Sequence, residues 1–324
     1  MLRVEVILRK ILQTVATLVA VVVFNFVLFR VLPGDAVQLQ ARSGHLSAEA
    51  AARLRQTFGL DRPLVSQFGI YVRSLLHGDL GISLTYRRPV AAILAERVAN
   101  TLLLLGAATV IVVILGVGAG VLAAARRGSR VDGSLVITSL VFWSLPTFWT
   151  GLVLVIILGV YFNALPVSGM ISAGMSGPLS GAGLLDVGRH LVLPTITLAI
   201  VDMGQFMLIT RNTLVDVLTE DYILTARAKG LARRTVLWRH GVPNALLPII
   251  TTTALYVSLV VGGAIQVETV FSWPGMGRLM YDAVLRRDYP ILEASFLLAA
   301  AVVILANFLS DVLYLVIDPR VKEA

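Results

Sequence analysis

The chain has 324 residues, 57% of them hydrophobic and only 14% charged, with a formal charge of +8. Soluble domains carry about 25% charged residues, so this chain lacks the polar surface to cover itself in water and reads as a membrane protein. It has no cysteine, which excludes disulfides, thiolate catalysis and Cys-based metal sites.

Crossing a bilayer takes about 20 apolar residues in a helix, and six segments qualify. The first covers residues 11–29 and carries no charge. It has basic flanks like a signal peptide, but no small-residue cleavage site follows, and it runs into Phe29-Arg30-Val31-Leu32-Pro33-Gly34-Asp35. It is therefore read as a retained helix. Residues 31–97 then form an external loop long enough to be a small subdomain. Ser47-Ala48-Glu49 precedes one helical run, Phe58-Gly59-Leu60-Asp61-Arg62-Pro63 breaks it, and a second run reaches His77-Gly78.

The second and third spans are expected at residues 98–125 and 135–162. Gly116 and Gly120 have the G-x-x-x-G spacing that lets membrane helices pack closely. Pro146, and Pro194 in the fourth span, predict kinks. The fourth span covers residues 190–210 and carries one charge, Asp202. A carboxylate at that depth costs about 2.5–3.5 kcal/mol and should face the interior or water. It could attract a cationic group of a ligand, or make a polar contact between two halves of an assembly. The fifth span covers residues 245–267, where Gly262 and Gly263 serve close packing or a bend of the helix. Glu268 follows at its outer end and fixes the neighbouring string structurally. The sixth covers residues 291–317, with Asp311 near its end as a structural residue.

The basic residues set the orientation. Arg3, Arg9, Lys10, Arg126, Arg127, Arg130, Arg211, Arg227, Lys229, Arg233, Arg234, Arg239, Arg320 and Lys322 fall on the side that holds both termini. The short opposite loops carry only Arg189, Arg278, Arg286 and Arg287. The positive-inside rule places both termini in the cytoplasm. The positive charge is thereby assigned to topology and not to nucleic acid.

Residues 211–244 are too long for a mere helix connection. Residues 221–248 read DYILTARAKGLARRTVLWRHGVPNALLP. One helical stretch ends at Gly230, which suits a left-handed residue just past a helix end. A second, from Arg233 to His240, is expected to end at Gly241 and Pro243. Two short helices and a sharp turn, with small residues Ala226 and Ala228 beside it, make a knob that a partner's cleft could receive.

This loop resembles the coupling loop of ABC importer permeases, whose pattern is Glu-Ala-Ala, three residues, Gly, nine residues, then Ile-x-Leu-Pro. Leu224-Thr225-Ala226 stands for the triplet, Gly230 for the glycine, and His240-Gly241-Val242-Pro243 for the end. The Glu is absent, and the Ile and Leu are replaced. Thr-Ala-Arg-Ala-Lys-Gly-Leu resembles the first, B-type permease subunit of dipeptide, oligopeptide and nickel importers. Leu32-Pro33-Gly34-Asp35, Gly59-Leu60-Asp61-Arg62-Pro63, Gly78-Asp79-Leu80-Gly81, Ser144-Leu145-Pro146-Thr147-Phe148-Trp149, Phe271-Ser272-Trp273-Pro274-Gly275-Met276-Gly277 and Asp318-Pro319-Arg320-Val321 extend the likeness over nearly the whole chain.

The resemblance implies an all-α integral membrane protein of six transmembrane helices with the type I ABC importer permease fold. Residues 1–96 would hold the N-terminal segment, the first helix and the external subdomain. Residues 97–315 would form the permease domain with its coupling loop, and 316–324 a cytoplasmic tail. Expected partners are a second, homologous permease subunit, two ABC ATPase subunits, an extracytoplasmic solute-binding protein and the bilayer of the bacterial inner membrane. The ATPase-contacting residues would be Leu224, Thr225, Ala226, Arg227, Ala228, Lys229, Gly230, Leu231 and Pro243. Asp202, Gly262 and Gly263 are candidates for the solute path, and Glu268, Trp273, Pro274 and Gly275 for an external gate.

No enzyme chemistry is expected in the chain itself. A phosphate-binding loop needs G-x-x-x-x-G-K-[ST], and Lys10, Lys229 and Lys322, the only lysines, lack that context. ATP and Mg would belong to partner subunits. Gly174-Met175-Ser176-Gly177 matches the G-x-S-G string of intramembrane proteases, but it lies in a Gly/Ser/Pro-rich loop, and His45, His77, His190 and His240 fall in loops or at helix edges. No H-E-x-x-H cluster exists. A self-sufficient secondary transporter is the alternative function. It would favour several intramembrane charges and internal repeats, whereas the chain has one central charge and no repeat.

Overall fold

The computed structural model describes residues 2–31, 49, 62–175, 180–258 and 264–317. Among them the ordered structure is helical, as expected, and it divides into two compact units, residues 1–99 with 279–324 and residues 100–278.

In the first unit, α1 (Leu2–Val31) packs along α12 (Tyr289–Ile317). Phe29 meets Tyr289 and Phe296 with ring centroids 6.4 and 6.0 Å apart. Buried Asn25 donates from Nδ2 to the Glu293 carbonyl and to the Tyr71 hydroxyl, each at 3.1 Å. Tyr71 lies on α2 (Leu64–Leu76), whose Phe68 stacks edge-on to Phe26. This helix is the second run expected in the external subdomain; the first run lies outside the described residues. Elsewhere α1 exposes Leu8, Leu12, Val19 and Phe24, apolar side chains suited to lipid.

A tight turn, residues 83–88, follows α2 and leads into α3 (Val90–Ala125). It is pinned by Asp288, fully buried between α11 (Met276–Arg286) and α12. The Ser83 hydroxyl donates to Asp288 Oδ2 at 2.6 Å, Thr85 N–H to the same oxygen at 2.9 Å, and Leu84 N–H to Oδ1 at 3.3 Å.

In the second unit, α3 crosses α6 (Gly181–Val217) at Gly116 and Gly120. A Cβ on Gly116 would sit 2.7 Å from Phe206 Cβ and 2.9 Å from the Met203 carbonyl. One on Gly120 would sit 2.5 Å from Thr210 Cβ and 2.7 Å from the Met207 carbonyl. The G-x-x-x-G spacing is thus a close helix crossing. Beside it Val112, Ala199, Phe206 and Ile249 form one buried cluster, and Leu104, Leu193, Phe271 and Trp273 belong to another.

The third expected span is bent far more sharply than a kink. Helices α4 (Arg130–Ser144) and α5 (Thr147–Leu154, continued by a π-helical turn over Val155–Tyr161) meet at 97°. Pro146 supplies no N–H to continue the first helix, and Leu145 before it takes the extended backbone that proline favours. Pro194, by contrast, lies inside an unbroken α6. Four described helices are long and apolar enough to cross a membrane, five if the bent pair is one span. The fifth expected span falls on α9 (Val242–Ser258) and α10 (Ile265–Val270), with residues 259–263 between them outside the described residues. The Asp311 side chain is also outside them.

Candidate functional site: a capped knob, a buried carboxylate and a helix tether

The loop after α6 begins with α7 (Asp221–Ala228). Its end is closed by backbone alone. Gly230 N–H donates to the Arg227 carbonyl at 2.9 Å and Leu231 N–H to the Ala226 carbonyl at 3.4 Å, with Gly230 at φ 76°. This double closure is the Schellman arrangement, which needs a left-handed residue just past the helix. Nothing lies within 4 Å of where a Gly230 Cβ would be, so the glycine answers to backbone conformation and not to crowding.

The second stretch does not stop where the sequence suggested. Helix α8 (Arg233–Thr235) passes through a π-helical turn, Val236–Gly241, straight into α9. Pro243 falls where the π-helical turn gives way to α9, so the helix continues past a residue that donates no N–H. Gly241 serves packing, since a Cβ there would lie 3.1 Å from Leu214 Cδ1 and 3.2 Å from Leu218 Cδ2.

Ile223, Ala226 and Val236 form a small buried cluster with Leu218 against it. Ala226 is therefore the floor of the knob and not part of its outer surface. Leu224, Thr225, Arg227, Ala228, Lys229, Gly230, Leu231 and Pro243 are exposed. So are Tyr222 and Trp238, which the sequence reading did not single out.

The knob is anchored by arginines. Arg233 donates to the Ala125 carbonyl at the end of α3, a cation placed at a helix C-terminus. Arg227 reaches the Leu218 carbonyl at 3.4 Å. Arg211 grips buried Asp132 with both ends of its fork, Nε at 2.7 Å and Nη2 at 2.8 Å. Asp132 also accepts from Gly128 N–H at 2.9 Å, while its own N–H donates to Ser129 Oγ. Asp132 was overlooked in the sequence, although Ser129-Arg130-Val131-Asp132 ahead of an apolar run carries a helix-start signature.

Asp202 in α6 accepts a 2.5 Å hydrogen bond from the Tyr256 hydroxyl of α9. Gly262 and Gly263, named with it for the solute path, lie outside the described residues.

Glu268 is fully buried on α10. Its Oε1 accepts from Thr101 Oγ1 at 2.8 Å and its Oε2 from Arg278 N–H at 2.9 Å. Met276 N–H in turn donates to Thr101 Oγ1 at 2.8 Å. Trp273, also fully buried, donates from Nε1 to the Asn100 carbonyl, and Asn100 Nδ2 donates to the Pro274 carbonyl, both at 2.9 Å. Gly275 leaves room for the carboxyl of Glu268, which a Cβ would strike. The Phe271–Gly277 string is thus a satisfied polar knot, the condition for keeping a carboxylate inside. Among the described residues no hydrogen bond joins this knot, the Asp202–Tyr256 pair and the knob to one another.

Long apolar helices, crossed through glycines and carrying hydrogen-bonded buried carboxylates, define an integral membrane protein of the all-α class. Residues 116–323 match the family described as binding-protein-dependent transport system inner membrane component, and residues 1–105 match the N-terminal component of the same systems. Similar proteins include the dipeptide transport system permease protein DppB of Escherichia coli strain K12, 38% identical over 98% of this chain and 99% of the relative. The oligopeptide transport system permease protein AppB of Bacillus subtilis strain 168 is 34% identical over 98% of each. The glutathione transport system permease protein GsiC of Escherichia coli O6:H1 is 37% identical over 98% of each. The chain belongs to the binding-protein-dependent ABC importer permeases, in the B-type branch of the dipeptide and oligopeptide systems. It has the type I permease fold and forms part of a translocation pathway.

Proposed function

We propose that the chain forms half of an import path for peptides or small peptide-like solutes across the bacterial inner membrane, with both termini in the cytoplasm. The names of its relatives motivate the solute class, and the basic-residue asymmetry motivates the orientation. A second, homologous permease supplies the other half. Two ABC ATPase subunits, holding ATP and Mg, supply the energy, and an extracytoplasmic binding protein delivers the solute. Asp202 lines the path or braces it through Tyr256, and the Glu268, Trp273, Pro274 and Gly275 knot stiffens an external gate.

The observation that carries the coupling role is the shape of the knob. A turn fixed by Gly230 at φ 76° presents Tyr222, Leu224, Leu231 and Trp238 outward over a packed floor of Ile223, Ala226 and Val236. Exposed apolar residues on a rigid base suit a cleft in a partner. Gly230→Val puts a β-branched residue where only left-handed backbone fits, and the surrounding open space isolates that strain from any clash. The assembled transporter should reach the membrane normally yet lose solute-stimulated ATP hydrolysis and uptake together. Gly230→Asn, which tolerates left-handed backbone, should retain most of both. Normal stimulated hydrolysis and uptake in the Gly230→Val complex would remove the loop from this role.

A further inference from the structure

The last carbonyl of α3 has lost its ordinary partners. Continued helix would have Gly128 or Ser129 donate to the Ala125 carbonyl, three or four residues back. Gly128 N–H donates instead to Asp132 Oδ2 at 2.9 Å, and Ser129 N–H to the Arg126 carbonyl at 3.0 Å. The first diversion is set from α6, because Arg211 grips the same Asp132 carboxylate. Gly128, at φ 78°, makes the turn that this arrangement requires. The end of α3 is thereby left to a donor from elsewhere.

That donor is Arg233, the first residue of α8, 108 residues further along the chain. Its guanidinium meets the Ala125 carbonyl at the negative end of the helix dipole. The adjoining residues Val121 and Ala124 of α3 share a buried cluster with Leu214 and Val215 of α6 and Ala245 of α9, and Leu237 of the π-helical turn packs against it. Arg233 therefore joins the stalk of the knob to α3 and, through the 126–129 turn, to α4. Arg234, the next residue, is also exposed, yet it makes no hydrogen bond or ion pair among the described residues. Position and not charge alone sets the two arginines apart.

We propose that Arg233 is a positioning residue for energy coupling. It ties the knob to the end of α3, so that movement imposed on the knob by the ATPases reaches α3 and α4 and not α9 alone. This rests on the orientation and the coupling role proposed above, and adds a second route out of the knob. Gly230 gives the knob its shape, whereas Arg233 directs where its displacement goes. The tether is exposed and ends on a single carbonyl, so cutting it leaves the packed clusters on either side intact.

The test uses the whole complex, both permeases and both ATPases, in proteoliposomes. Spin labels on Arg127→Cys and Ala232→Cys, both exposed positions, report the separation of the 126–129 turn from the knob. It should stay the same between the nucleotide-free and the ATP–vanadate-trapped complex, and should differ between those states once Arg233→Ala is added. With the binding protein of the same system and a tritiated dipeptide, uptake per ATP hydrolysed should fall about two- to tenfold in Arg233→Ala. Arg233→Lys, which still offers a donor to one carbonyl, should keep most of that ratio, and Arg234→Ala should keep all of it. Gly230→Val loses hydrolysis and uptake together; Arg233→Ala separates them. A label separation that does not respond to Arg233→Ala overturns the proposal, as does an unchanged ratio or an equal loss in Arg234→Ala. Loss of the ATPases on purification of Arg233→Ala also overturns it, placing Arg233 in the ATPase contact itself. Normal hydrolysis and uptake in Gly230→Val would count against the coupling role of the loop, and a wild-type complex that takes up no dipeptide against the solute class. The label separation decides the tether in either case.

Discussion

Tyr256 on α9 donates its hydroxyl proton to Oδ2 of Asp202 on α6 at 2.5 Å, and its ring stands edge-on to Phe206 with centroids 5.9 Å apart. The single charge in the apolar stretch of α6 therefore has a partner within its own chain. Removing that partner leaves a carboxylate without its donor, which costs about 1–3 kcal/mol. Tyr256→Phe should lower the thermal unfolding midpoint of the purified complex, while Asp202→Asn, whose amide oxygen still accepts, should lower it less. If Asp202 also faces solute, Asp202→Asn should weaken uptake of cationic solutes more than neutral ones in competition assays. Equal effects on both would leave Asp202 with the tether alone.

The glycine crossing gives a prediction with an internal control. Gly120→Ala forces a methyl group to within 2.5 Å of Thr210 Cβ and 2.7 Å of the Met207 carbonyl. Overpacking of this kind costs about 1–3 kcal/mol, and backbone on one side leaves little room to relax. Gly118, two residues away on the same helix, has nothing within 4 Å of a built Cβ. Gly118→Ala should be neutral or slightly stabilising, because alanine is the better helix former. Detergent-extracted yield and unfolding midpoint of the two variants should separate clearly; a tolerant Gly120→Ala would show that the helices are not held this closely.

Asp132 and Arg211 should behave as a unit. Asp132 is buried, and the Arg211 side chain is 22% exposed, so part of the arginine's charge remains screened by solvent. Breaking a buried pair from one side costs about 3–5 kcal/mol; with this partial exposure, Arg211→Ala should cost about 2–3 kcal/mol. Asp132→Asn combined with Arg211→Gln should cost less than the two single changes added together. A double-mutant cycle on complex stability measures this, and simple additivity would show that the two side chains do not interact.

Topology is open to a clean labelling experiment, because the chain has no native cysteine. Ser172, Ser129 and Ala232 are exposed. Ser172→Cys should react with a membrane-impermeant maleimide in intact cells, whereas Ser129→Cys and Ala232→Cys should react only after permeabilisation. External labelling of Ala232→Cys would invert the proposed orientation.

Much of this architecture was legible in the sequence because membrane insertion leaves a strong local signal. Long apolar runs with few or no charges must be helices to cross a membrane, and the runs around residues 11–29, 98–125, 190–210 and 291–317 correspond to α1, α3, α6 and α12. The left-handed turn at Gly230 was legible too, since helix ends need that conformation. What escaped was set by distant packing. Gly241 and Pro243 look like a stop signal, but glycine there admits Leu214 and Leu218, and the helix runs on past the proline where the π-helical turn gives way to α9. Ala226 looks like part of a contact surface until the cluster with Val236 closes over it. Asp288, Asn100 and Tyr256 show their roles only when partners far along the chain are brought beside them.

The unbroken course of α8 into α9 has a mechanical consequence. No slack connection separates Trp238 from Tyr256; the backbone is helical throughout from Arg233 to Ser258, a rod of roughly 40 Å. A small tilt at one end becomes a larger sweep at the other, as in any lever. The rod can yield at the wide turn over Val236–Gly241, with Pro243 just beyond it, and at the gap in its hydrogen-bond ladder at Pro248. Motion that those joints do not absorb arrives at the Tyr256 hydroxyl, where it must stretch the bond to Asp202 or carry α6 along with it.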